Sequence, residues 1–194
     1  ELYNNTTAAI DMAGWRIDGA VDFEFAPNAV ALQAGQTLIL VGFDPLESSA
    51  ANIFRATYKI GLDVTLSGPW QAQDRLDNGG EKINLQQRAD ISAADDEFVP
   101  ILVDQVDYDD EGLWPGSADG LGDSLHRRAP VFLGNQPASW AASLPTPGSV
   151  NFTDAVFADF DGDGRVDDAD IDLALKWSLL SAFSNAGQRC SASS

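Results

Sequence analysis

The densest chemistry in the sequence is the run "DFDGDGRVDDAD", residues 159–170, in which six of twelve residues are aspartates. Carboxylates this close repel one another unless a cation gathers them. With Asp159 as loop position 1, Asp161 is position 3, Asp163 position 5, Arg165 position 7, Asp167 position 9 and Asp170 position 12. That is the D-x-D-x-D-G spacing of a calcium loop. Alternate residues of a tight loop turn their carboxylates inward, and Gly164 takes the bend that a Cβ would obstruct. Arg165 offers its backbone carbonyl, Asp167 reaches the ion through a water, and Asp170 closes the shell. Ca²⁺ takes six to eight oxygens at about 2.3–2.6 Å, whereas Mg²⁺ prefers to keep several waters. The expected cofactor is therefore Ca²⁺. The closing residue is Asp rather than Glu.

The element that must hold this loop follows it. "DADIDLALKWSLLSAF", residues 168–183, is the one strong helical pattern, with Ile171, Leu175, Leu179 and Ala182 on one stripe and Leu173, Trp177 and Leu180 on another. A helix apolar on two stripes needs cover on both. The proline-broken "PTPGSVNFTDAVFA" leaves no room for a helix before the loop. The unit is loop-then-helix, in one copy.

Other reactive groups carry less. His126 is the only histidine, so any Ser-His or Cys-His catalysis must use it. No G-x-S-x-G elbow accompanies it, and zinc lacks ligands. Asp104, Asp107, Asp109, Asp110, Glu111 and Asp119 form an acidic run that reads as a solvated loop, a second metal site or a pair of glycosidase carboxylates. Trp15, Trp70, Trp114, Trp140 and Trp177 read as core packing or as a sugar-stacking face. Asn4, Asn5 and Asn151 satisfy the short N-glycosylation pattern. Cys190 is the single cysteine, so no intrachain disulfide exists; it is a tail thiol or a link between chains.

The 194 residues carry 30 acids against 11 bases, a net charge of −19. That balance opposes nucleic acid, which needs Lys and Arg to displace counterions, and opposes an anionic membrane surface. No apolar run is long enough to span a bilayer. The sequence opens on Glu1 rather than Met, the expectation for a processed precursor or a fragment.

Up to about residue 152 the pattern is strand, turn, strand. "VDFEF" alternates with Val21, Phe23 and Phe25 on one face. Leu38 to Val41 reads as a buried strand. "NIFRATYKI", residues 52–60, alternates weakly and reads as a strand too. "RLDNGGEKINLQ" reads as two short strands around Asp77-Asn78-Gly79-Gly80, a hairpin signal. "FVPILVDQVDYDD" is a strand that Pro100 pushes toward an edge or a bulge. "DSLHRRAPVFLG" follows. Turn signals every ten residues or so predict a sandwich or barrel.

Residues 1–151 resemble the lamin-tail domain, in the form found in secreted bacterial proteins. The marks are Glu1-Leu2-Tyr3-Asn4, Gly14-Trp15, the Leu76-x-Asn78-Gly79-Gly80 turn, Val106-Asp107-Tyr108, Trp114-Pro115, Ser124-Leu125 and Pro145-Thr146-Pro147-Gly148. "DFDGDGRVDDADIDLAL" resembles one repeat of a dockerin, a calcium module of extracellular bacterial proteins that carries two such repeats. The first resemblance implies an immunoglobulin-like β-sandwich without catalytic activity. In that family a strand leads into the "ELYN" segment, at which this sequence begins; either that strand has been removed, or the sandwich has an open sheet edge inviting a strand from elsewhere.

The expectation is thus an all-β chain: a sandwich over 1–151, a dockerin-like calcium loop and helix over 152–187, and a flexible tail over 188–194. Its expected role is a structural, non-enzymatic one outside the cell or on a bacterial surface. The partners expected are proteins, including other copies of itself in a filament. The alternative is a targeting or carbohydrate-binding module of a larger secreted hydrolase.

Overall fold

The computed structural model describes residues 1–71, 74–89, 99–130, 132–152, 168, 170 and 171. The chain divides into two compact units, Glu1–Asn151 and Phe152–Ser194.

The first unit is mainly β. Three sheets occur among the described residues. The first joins β1 (Leu2–Tyr3), β4 (Thr37–Leu40) and β5 (Thr65–Ser67) in the order β1-β4-β5. The second joins β2 (Arg16–Gly19), β3 (Phe23–Glu24), β6 (Gly80–Arg88) and β7 (Pro100–Asp109) in the order β3-β2-β6-β7. The third is a ribbon of β8 (Ser124–Arg127) and β9 (Trp140–Ser143).

Period-two patterning sets the core. Val21 and Phe25 are buried, Phe23 is half-buried, and Glu24 between them is exposed. Met12, Trp15, Phe25, Leu32 and Leu38 form one buried cluster. Leu2 beside β4 and Phe23 and Leu85 of the second sheet pack against it, so residues of both sheets share one core. Ile17 lies across from Phe23 on one side and Leu85 on the other, a continuous apolar row. β2 and β6 come so close at Gly19, φ 116°, that a Cβ there would stand 2.2 Å from the Lys82 carbonyl oxygen. Only glycine fits.

Two sequence expectations are corrected. "NIFRATYKI" is not a strand: it is the body of α1 (Ser48–Tyr58), which bridges β4 to the parallel strand β5. Parallel neighbours need a crossover, and a helix supplies it. Phe54 and Tyr58 of that stretch, with Ala51 just before it, sit at helical spacing. Ala51 is buried, and Phe54 meets Phe43 at 5.5 Å and Tyr58 at 5.0 Å between ring centroids. Lys59 ends the helix in the left-handed region at φ 57°, and Ile60 N–H donates back to the Arg55 carbonyl. The Arg55 guanidinium donates to the Gly61 and Val64 carbonyls and so holds the return to β5.

Nor does Asp77–Gly80 close a hairpin. Residues 74–77 form no strand, and β6 begins at Gly80. The turn chemistry is present, because the Asp77 carboxylate accepts the Gly79 N–H at 2.8 Å. It launches β6, whose antiparallel partner is the later β7. The expectation at Pro100 is met: among the described residues β7 is an edge strand of its sheet. Its register with β6 shifts between Leu85 and Gln86, which pair with Asp104 and Leu102. Val103 is the extra residue of that bulge.

Candidate functional site

The calcium loop is the strongest sequence-predicted site. Of its ligands, Asp159, Asp161, Asp163, Arg165 and Asp167 lie outside the described residues. Asp170 is described: its backbone is helical and it is 1% exposed. Asp168 and Ile171 are helical as well, both exposed. Exposure of Ile171 departs from its place on a stripe expected to be covered. Leu173, Leu175, Trp177, Leu179, Leu180, Ala182 and Cys190 also lie outside the described residues. A buried carboxylate is costly unless charge or hydrogen bonds compensate it. Asp170 has such an interaction within the fold.

The acidic run 104–119 is fully described, and two of its members, Asp104 and Asp109, make side-chain contacts within the fold. Asp104 receives both terminal nitrogens of Arg127, at 2.5 and 3.2 Å. That fork is the geometry guanidinium and carboxylate favour. The Arg127 guanidinium also lies 5.3 Å from the centre of the Trp140 ring, and its buried Nε has no hydrogen-bond acceptor among the described residues. The indole face gives the cation a favourable neighbour there. Asp107 lies across from Lys82 and receives nothing from Asn135, whose Oδ1 instead accepts the Asp107 N–H at 2.9 Å. The Asp109 carboxylate accepts the Glu111 N–H at 2.9 Å, and this bond, with further help from Asp110, holds it below the usual carboxylate range. Among the described residues no three His, Cys, Asp or Glu side chains come together as a metal site.

Tyr108, on the same strand, shows what the acids do to a neighbour. Its O–H donates to the Asp77 carbonyl at 2.7 Å. Partial burial, then the charges of Glu81 and Asp77, push its pKa from 10.0 up to about 12. The sign follows from linkage: the unfolded chain ionises this phenol first, so stability falls as pH climbs from about 10 to about 12. An absorbance titration of the folded protein should show one phenolate appearing only near pH 12, and Tyr108→Phe should remove that late component. A native protein without such a component would refute the assignment.

His126 sits on β8, half-buried, with its Nε2 2.9 Å from the Ser124 hydroxyl. The i, i+2 spacing on one strand places the two on the same face. Among the described residues no carboxylate hydrogen-bonds the ring, so the third member of a triad is missing from this contact set.

The tryptophans divide by environment. Trp15 is 8% exposed, in the core. Trp70 donates its Nε1–H to the Asp74 carbonyl and stands so close to Gly42 that a Cβ there would clash with the indole. Trp114 and Trp140 meet at 6.5 Å, and Trp140 donates to the Gly134 carbonyl. Trp177 lies outside the described residues.

The residue that sequence reasoning undervalued is Asn4. Read from sequence as a glycosylation match and as part of the "ELYN" mark, it is 1% exposed. Its amide nitrogen donates to the Ala8 and Leu32 carbonyls, each at 2.8 Å. Its carbonyl oxygen accepts from Thr6 N–H and Thr6 Oγ1 at 2.9 and 2.7 Å. That nitrogen is therefore closed to an enzyme in the folded chain, whereas Asn5 is exposed. Asn151 is exposed, and Thr153 of its pattern lies outside the described residues.

No family model matches the chain, and no curated protein or solved structure matches it either. Among the described residues no helix is long and apolar enough to cross a membrane.

Proposed function

We propose that this chain is a non-catalytic, extracellular or cell-surface protein of bacterial type. Its first unit is an immunoglobulin-like, lamin-tail-type sandwich that binds a protein partner. Its second unit is a dockerin-like loop and helix set by Ca²⁺. The observation that carries the reading is Asp170, a carboxylate 1% exposed in helical backbone at the closing position of a D-x-D-x-D-G run. Ca²⁺ supplies the positive charge that lets Asp159, Asp161, Asp163, Asp167 and Asp170 share a small volume, with Arg165 giving a carbonyl. The sandwich reading draws support from one core shared by residues of two sheets. The non-catalytic reading draws support from Asp104, held by Arg127, and from a histidine whose described partner is a serine alone.

Assembly with copies of the same chain is the narrower form of this reading. A charge of −19 on each copy opposes it wherever salt or Ca²⁺ does not screen the surface. A sugar-binding face finds little support in Trp15, which is buried, or in Trp140, which packs against Arg127.

Calorimetric melting of the whole chain in excess Ca²⁺ and in EGTA tests the metal claim. At a free Ca²⁺ concentration 100 times the dissociation constant, binding adds about 2.7 kcal/mol to the unit that holds it. At least one transition should rise on adding Ca²⁺ and fall back with EGTA. Superimposable melting curves would refute the reading.

A further inference from the structure

We infer that the first half of β7 is a docking edge for an extended, cationic peptide segment, joined by strand addition. The inference rests on the interaction role proposed above and names its partner.

β7 ends the order β3-β2-β6-β7, so one side of its backbone has no strand neighbour among the described residues. Folded proteins cover or blunt such edges. The second half of this one is covered. Asp107 N–H donates to Asn135 Oδ1, Gln105 N–H donates to the Asp104 carboxylate at 2.9 Å, and Arg127 grips Asp104. Gly134 lies so near that a Cβ on it would stand 2.5 Å from the Gln105 carbonyl oxygen. No described contact of this kind reaches residues 100–103. There the Ala89 N–H donates to the Val99 carbonyl, which turns residue 99 toward β6 and, by alternation, the backbone of Leu102 outward.

Three of these residues, with Val99 before them, carry the apolar surface. Ile101, Leu102 and Val103 are 49%, 55% and 48% exposed, three in a row, and Val99 is 40% exposed. A run exposed on both faces of a strand is the feature that strand addition buries: main-chain bonds give affinity and alternate side chains give specificity. Charge selects among strands. From Val99 to Leu125 the sequence has no Lys, Arg or His, while Asp104, Asp107, Asp109, Asp110, Glu111, Asp119 and Asp123 fall within it. An added strand with apolar residues against Ile101–Val103 and Lys or Arg beyond them meets complementary charge; a second copy of β7 meets its own acids.

The test uses the full chain in Ca²⁺ with two synthetic nine-residue peptides alternating valine with lysine or with glutamate. The lysine peptide should bind at least about tenfold tighter than the glutamate peptide, weaken with salt, and slow amide exchange at residues 100–103. Leu102→Lys keeps the backbone pairing to β6 and should lower affinity for the lysine peptide by about tenfold with unchanged melting. Equal binding by both peptides, unaltered binding by Leu102→Lys, protection confined to residues 107–123, or concentration-dependent self-association through β7 would each overturn the inference. Repeating the titration in EGTA separates it from the metal claim. Peptide binding without any calcium effect on melting sinks only the calcium reading, and a calcium shift without peptide binding sinks only the docking edge.

Discussion

Replacing Asn4 with alanine should destabilise the first unit by about 3 kcal/mol, a large loss for one polar side chain. The side chain is 1% exposed, and its four hydrogen bonds tie three places together: Thr6, Ala8 and Leu32. Its backbone is engaged too, with N–H donating to the Gln36 carbonyl and C=O accepting from Gly35. An Asn in this position is a fastener between the start of the chain and the segment that leads into β4. Alanine leaves the Thr6 N–H without its acceptor, while the Thr6 hydroxyl and the Ala8 carbonyl keep their bond to each other at 2.9 Å. Leu32 C=O keeps one bond, from Ile10 N–H, which limits the loss. For a domain of this size about 3 kcal/mol corresponds to a fall in Tm of roughly 6–12 °C.

Asn4→Asp sharpens that result. The shape is kept, but an oxygen replaces the amide donor and faces two carbonyls from inside the fold. Burial and those carbonyls raise the folded-state pKa of the new carboxyl above its unfolded value. The neutral acid can donate one hydrogen bond where the ion can donate none. Stability of Asn4→Asp should therefore improve as pH falls from neutrality toward the carboxylate range, relative to the parent measured at the same pH. Urea melts of both chains across that range are the measurement. Parallel pH profiles, or a loss below about 1 kcal/mol for Asn4→Ala, would show that the hydrogen bonds are not what secures the segment.

How far the sequence predicted this arrangement depends on whether the signal is local. The strand at Leu38–Val41 and the burial of Val21 and Phe25 follow from period-two patterning, because one face of each strand must leave water. Pro100 marked an edge correctly, since a residue without N–H is tolerated there. Periodicity failed in "NIFRATYKI" because a nine-residue window shows two apolar contacts of a helix, Phe54 and Tyr58, and the third, Ala51, lies just outside it. The hairpin failed for a different reason. Asp77-Asn78-Gly79-Gly80 does specify a turn, but a turn sequence does not say which strand pairs with the next one.

Contacts between residues distant in sequence were illegible, whereas the proposed calcium loop, contained in twelve residues, is a pattern that spacing alone can suggest. The Arg127–Asp104 fork joins residues 23 apart, and Asn4 reaches Leu32 across 28. Neither pair has any periodicity to betray it. The sole signal for Asn4 was its place in the "ELYN" mark of the lamin-tail resemblance, and that mark gives no physical role for the residue. The bare half of β7 was hidden for a similar reason: exposure of Ile101–Val103 depends on where Asn135 and Gly134 come to lie.

Asp170→Asn should invert the order of stability with and without calcium. In Ca²⁺ the variant loses one anionic ligand at the closing position, and affinity should fall by about tenfold or more, equivalent to about 1.4 kcal/mol. In EGTA the same change removes one of the carboxylates at 159, 161, 163, 167 and 170 that repel one another, and a buried one at that. The variant should then be as stable as the parent or more so, because one negative charge fewer stands among the remaining carboxylates. Asp170→Glu sets the opposite control: the longer carboxylate reaches the ion from both oxygens, the usual chemistry of loop position 12, and should retain Ca²⁺ binding. A structural role for Asp170, as the acceptor for a fixed donor inside the protein, predicts something different. Both substitutions would then destabilise equally in Ca²⁺ and in EGTA, and neither would move the calcium titration. Melting temperature in the two solutions, with a terbium or calorimetric titration of each variant, decides between them. The crossing of the two orders is what no simple packing defect can imitate.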